Sequence, residues 1–128
     1  MPHTILIVED AETCASTLEI VFSVIDNVEV VTSLSAEAAW KLIEGGERCI
    51  GAVVTDLQMT GMDGFDLIER IRAHALHRAV PIVVITGLSD PATADRVRRL
   101  GADAFFTKPY SPAAVREKLE QLLRHEQP

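Results

Sequence analysis

The chain has 128 residues and a formal charge of −7, which suits one domain with a real core and leaves no room for a second. That acidity argues against direct nucleic-acid binding, which needs a basic patch, and no apolar run approaches the ~18 residues of a membrane span. A hydrophobic share of 48%, two cysteines and only a short apolar stretch before Glu9 point to a cytoplasmic protein without a leader, with Cys14 and Cys49 as reduced core thiols.

The first apolar run, Ile5 to Val8, is apolar at every position and ends on two acids, Glu9 and Asp10. Strands covered by helices on both faces read this way. Cys14, Leu18, Val21, Phe22 and Ile25 then recur at helical spacing and predict one buried stripe. A second strand spans Val28 to Thr32, Ser35 opens the next helix and Gly45-Gly46 stops it, with Trp40 as a packing residue between them. The third strand, Ala52 to Thr55, ends on Asp56 and releases a turn-rich stretch, Leu57 to Gly64. Asp63 reads as the cap of a helix carrying Phe65, Ile68 and Ile71. Near that helix's end His74 and His77 are placed to share a face, but without an acid or cysteine beside them they do not make a metal site.

Pro81 to Thr86 is a fourth strand, again apolar at every position from Ile82 to Ile85, and Ser89-Asp90-Pro91 starts a helix that Gly101 ends. Ala104 to Thr107 is the fifth strand, followed by Lys108, and Ser111-Pro112 opens a last helix with Val115, Leu119 and Leu122 on its buried face. Five strand and helix pairs in alternation imply a parallel sheet with right-handed crossovers. The domain is expected over residues 1–124, with 125–128 as a frayed tail.

The strand ends carry the chemistry, because ligands of an open parallel sheet bind at the carboxyl edge where the winding reverses. Glu9, Asp10 and Asp56 converge if the first and third strands are neighbours, and three like charges oppose ionisation unless a cation intervenes. Magnesium suits them, being a hard ion that takes carboxylates, waters and phosphate oxygens. Asp56 as a nucleophile would form an acyl phosphate, Lys108 would clamp the phosphoryl charge, and the Thr86 hydroxyl would donate to a phosphoryl oxygen.

These motifs resemble, in order and spacing, receiver domains of two-component response regulators: Ile5-Leu6-Ile7-Val8-Glu9-Asp10, Asp56-Leu57-Gln58-Met59 with Met62-Asp63-Gly64, Thr86-Gly87 and Lys108-Pro109. The resemblance covers essentially the whole chain. It implies a flavodoxin-like (βα)5 fold, a five-stranded parallel doubly wound sheet of strand order 2-1-3-4-5. It makes Asp56 the phosphoacceptor, charged by a phosphohistidine on a sensor histidine kinase or a histidine phosphotransfer protein. Glu9 and Asp10 would hold Mg2+ together with Asp56 and the backbone carbonyl of Gln58. Thr86 and Lys108 would hold the phosphoryl oxygens, Thr86 and Phe105 would form the switch, and Pro109 would follow a cis peptide.

A downstream effector or output domain would read the fourth helix, fifth strand and fifth helix, roughly Asp90 to Leu123. Two residues depart from the pattern: Thr60 where a proline commonly follows the methionine, which loosens the loop, and Phe105 where tyrosine is frequent, which removes a hydroxyl. The domain signals rather than serving as a free-standing enzyme, although it catalyses its own phosphorylation and dephosphorylation. Two alternatives are a phosphate-independent scaffold and an aspartyl-phosphate phosphohydrolase, the second poorly matched by Asp10-Ala11-Glu12.

Overall fold

The computed structural model describes residues 3–59 and 61–125. Its elements alternate as β1 (His3–Val8), α1 (Glu12–Phe22), β2 (Val28–Ser33), α2 (Ala36–Gly45), β3 (Ile50–Thr55), α3 (Gly64–Ala73), β4 (Ile82–Thr86), α4 (Pro91–Leu100), β5 (Ala104–Thr107) and α5 (Pro112–His125). All strand pairs are parallel, in the order β2-β1-β3-β4-β5. The winding therefore reverses between β1 and β3, as the sequence predicts.

Period-two alternation divides the strands between two cores. Leu6, Val8, Val53, Ile82 and Val84 face Ala39, Ile43, Leu67, Ile68, Ile71 and Val97 of α2, α3 and α4. Ile5, Ile7, Ala52, Val54, Val83 and Ile85 face Leu18 and Phe22 of α1 and Val115 and Leu119 of α5. Each fully buried aliphatic side chain contributes about 1.5–3 kcal/mol.

Helix ends follow their side chains. The Ala38 amide donates to Ser35 Oγ at 3.1 Å, the Asp66 amide to Asp63 Oδ1 at 2.9 Å and the Ala92 amide to Asp90 Oδ1 at 2.9 Å. Gly46 (φ 70°) and Gly101 (φ 107°) end α2 and α4 in the left-handed region. Trp40 is half-buried, packed edge-on against His74, with the Arg70 guanidinium over its ring.

Two expectations are corrected. Cys14 is only half-buried and Cys49 is exposed, so neither is a core thiol: Cys49 sits one residue before β3, outside the helix cover, with its sulfur 3.8 Å from His3 Nδ1. α5 is described through His125, and the other residues of the expected tail, 126–128, lie outside the described ones.

Arg72, in the last turn of α3, fastens the N-terminal edge of β4 and β5. Its Nε and Nη2 donate to the Gly101 carbonyl at 3.0 and 2.7 Å, Nη1 to the carbonyls of Arg78 and Val80 at 3.0 and 2.6 Å, and Nη2 to Asp103 Oδ2 at 3.0 Å. All five guanidinium N–H groups are thus engaged. Arg72→Ala should cost about 2–3 kcal/mol, and Arg72→Lys should recover less than half, since an ammonium cannot reproduce the planar fork. Urea unfolding checks this; a lysine variant as stable as the parent would show that charge alone is enough.

Candidate functional site at the carboxyl edge of the sheet

The sheet register builds the site. Val8 pairs with Thr55, so Glu9 and Asp56 leave adjacent strands side by side, and Thr86 pairs with Thr107, which puts Lys108 just beyond. Glu9, Asp56 and Thr86 are buried while Lys108 is half-buried. Lys108 Nζ donates to Asp56 Oδ2 at 2.9 Å and to Glu9 Oε2 at 3.3 Å, bridging the two carboxylates.

The other oxygens are held by backbone. Leu57 N and Gln58 N donate to Asp56 Oδ1 at 2.6 and 3.2 Å, and Ala11 N donates to Glu9 Oε1 at 3.1 Å. Ala11 is the N-cap of α1 and has no side-chain cap of its own, so Glu9 also fastens the start of that helix. Thr86 Oγ1 accepts from Leu88 N at 3.2 Å, and the Lys108 amide donates to the Thr86 carbonyl at 2.7 Å. The Lys108–Pro109 peptide is cis.

Asp10 differs from its neighbours. Its side chain is exposed at the rim of an open cleft of about 520 Å³, lined also by Leu57, Gln58, Met59, Asp63, Phe65 and Leu88. Phe105 lies away from that cleft, half-buried against the α2–α3–α4 core, where it lines a cavity of about 370 Å³ between α4 and β5. Among the described residues no three His, Cys, Asp or Glu side chains stand close enough to cage a metal. Every donor that Glu9, Asp10, Asp56 and the Gln58 carbonyl offer is nevertheless oxygen, which fits an ion that takes one or two carboxylates and keeps several waters.

Burial raises the pKa of Glu9; the Ala11 amide opposes this, the Asp56 charge adds to it, and Lys108 pulls it back without cancelling it. Partial burial pushes Lys108 down, but the hydrogen bond and charge of Asp56, then those of Glu9, outweigh it and hold the ammonium above its ordinary value. Lys108 thus contributes stability below its ordinary value of 10.5, lost as pH rises through the higher folded value.

For Glu9 the same sign has a different consequence. The folded chain binds this proton more tightly, so the contribution is complete below 4.5 and is lost as pH rises through the folded value. Glutamine imitates the protonated form at every pH. With divalent ions chelated, Glu9→Gln should melt at or roughly 2–4 °C above the parent near neutral pH, the gap closing as the solution is acidified. Thermal melts across that range check it; a variant melting well below the parent at neutral pH would show that the Lys108 pairing outweighs burial.

The family described as "Response regulator receiver domain" matches residues 5–120. The chain belongs to that family. Receiver domains are the phosphoacceptor signalling domains of two-component response regulators; they generally bind Mg2+ at the phosphorylation site and work with histidine kinases and downstream effectors.

Among relatives, the chain is 25% identical over 119 residues to a chemotaxis protein CheY homolog of Campylobacter jejuni, covering 93% of this chain and 91% of that one. It is 32% identical over 99 residues to the 3',5'-cyclic-nucleotide phosphodiesterase regA of Dictyostelium discoideum, covering 77% of this chain but 12% of that protein, whose phosphodiesterase activity is not carried over. The solved signal receiver domain of a signal transduction histidine kinase from Syntrophus aciditrophicus superposes with a TM-score of 0.86 at 26% identity, covering 98% of this chain and 92% of that one. No described helix of this receiver domain is long and apolar enough to cross a membrane.

Proposed function

We propose that Asp56 accepts the phosphoryl group from a phosphohistidine on a sensor histidine kinase or a phosphotransfer protein. The observation that carries this is the way Asp56 is held: one oxygen on Lys108 and the other on the backbone amides of Leu57 and Gln58, two residues that line an open cleft. That grip fixes the carboxylate against rotation, and positioning supplies much of the catalysis in phosphoryl transfer. A carboxylate oxygen forms the new O–P bond as the N–P bond breaks. The imidazole leaves with the electron pair, neutral when its other nitrogen carries a proton.

Glu9, Asp10, Asp56 and the Gln58 carbonyl are the residues that would hold Mg2+, which supplies charge neutralisation at the phosphoryl oxygens when bound. Lys108 balances the same charge from the carboxyl end of β5. The Thr86 hydroxyl donates to a phosphoryl oxygen, and the Leu88 amide fixes the threonine oxygen beforehand. Thr86 and Phe105 pass the change to the α4–β5–α5 face, where a downstream effector or output domain reads it, and the cavity beside Phe105 gives that ring room to move. The same site carries out the domain's own phosphorylation and dephosphorylation, in the cytoplasm.

The test is incubation with a small phosphodonor and magnesium chloride. A stoichiometric, hydroxylamine-sensitive adduct on the peptide containing Asp56 is the expected result. No adduct, or one on another residue, would overturn the assignment.

A further inference from the structure

The loop that follows Asp56 is held from outside the site. Within Leu57–Met62 the sequence has no proline to stiffen the backbone, yet this stretch supplies Gln58 and Met59 to the cleft. Glu37, in the first turn of α2, reaches across 25 positions in sequence, and the Met62 amide donates to its Oε1. Glu37 is not needed as a cap for its own helix, because Ser35 does that.

The loop is shaped to receive the carboxylate. Gly61 has φ +84°, and a Cβ there would lie 2.6 Å from Glu37 Oε1. The left-handed turn at Gly61 and the bare face it presents let the acid approach close enough to meet the next amide. Beyond Met62, Asp63 caps α3 and also lines the cleft. One end of the loop is thus tied to Asp56 through the Gln58 amide and the other to α2 through the Met62 amide.

We infer that Glu37 is a positioning residue for the magnesium-binding loop: by accepting from the Met62 amide it sets where the Gln58 carbonyl stands relative to Asp56. Its role is that of a hydrogen-bond acceptor, so neutral glutamine, which keeps a carbonyl oxygen, can replace it. The inference rests on the proposed roles of Gln58 and Asp56.

The test is titration of the full chain with magnesium chloride alone, followed by backbone amide shifts, for the parent, Glu37→Ala and Glu37→Gln. Glu37→Ala should weaken magnesium roughly five-fold, the weight of about one hydrogen bond. Glu37→Gln should stay close to the parent. Hydrogen exchange at the Met62 amide should accelerate in Glu37→Ala and not in Glu37→Gln. With a small phosphodonor, Glu37→Ala should need more magnesium than the parent for half-maximal labelling.

Parent-like magnesium affinity in Glu37→Ala would overturn the inference. So would Glu37→Gln failing as badly as Glu37→Ala, since charge rather than the bond would then be at work. A parent chain that binds magnesium but takes no phosphoryl group would sink the proposed function instead, and the exchange and affinity comparisons would still decide the role of Glu37.

Discussion

Asp56→Asn is expected to abolish phosphoryl incorporation while leaving the fold in place. Asparagine keeps an oxygen where Asp56 Oδ1 accepts from Leu57 and Gln58, so the turn after β3 retains its anchor. What it loses is the anionic nucleophile and the partner of Lys108, whose ammonium still has Glu9 at 3.3 Å. Removing one of two adjacent buried carboxylates also relieves repulsion with Glu9, which offsets part of the lost pairing. The melting temperature should therefore move by no more than roughly 4 °C in either direction. Labelling should fall below detection at donor and magnesium concentrations that modify the parent fully. Intact-mass measurement before and after hydroxylamine, beside a thermal melt, separates the two effects. An Asp56→Asn chain that still takes up a phosphoryl group would place the acceptor elsewhere.

The strand ends were legible because their positions follow from few rules. A strand that is apolar at every residue lies inside a parallel sheet, the acid after it then leaves at the carboxyl edge, and right-handed crossovers bring all those edges to one side. That reasoning places Glu9, Asp56, Thr86 and Lys108 together without knowledge of any distance. It does not reach interactions that depend on where a side chain ends. Arg72 reads in sequence as one more cation near a helix C-terminus, and nothing in its neighbours announces that its guanidinium collects carbonyls from two loops.

Glu37 is equally silent. A glutamate in the first turn of a helix is ordinary, and its partner is a backbone amide with no sequence signature. Cys49 was misplaced for a related reason: in sequence it borders an apolar strand, but the strand's cover begins only after it. Asp10 and Glu9 look alike as a pair of acids, whereas the structure buries one and exposes the other. Consecutive residues beyond a strand diverge as the chain turns into α1.

Gly64→Ala should destabilise the domain, against what helix propensity would suggest. Gly64 is the first residue of α3, where alanine, on propensity alone, is favoured by up to about 1 kcal/mol. The start of α3, however, is pressed against the turn that carries Asp56. The Gly64 amide donates to the Leu57 carbonyl at 3.0 Å, and a Cβ on Gly64 would lie 2.2 Å from the Asp56 carbonyl oxygen and 2.8 Å from Leu57 Cα. Both are backbone atoms, so no rotamer change relieves the contact; α3 or the Asp56–Leu57 turn must move.

Overpacking of that kind costs about 3 kcal/mol, more than the propensity term returns. Gly45→Ala is the matched control: a Cβ there meets nothing within 4 Å and sits in a helix, so the substitution should be neutral or stabilise by up to about 1 kcal/mol. Urea unfolding of the pair gives the two signs directly. If the turn yields rather than the helix, Gly64→Ala should also slow labelling of Asp56 by a small phosphodonor, because the Leu57 and Gln58 amides that fix the carboxylate move with it. Stability and labelling both at parent level would mean that this close approach is not maintained in solution.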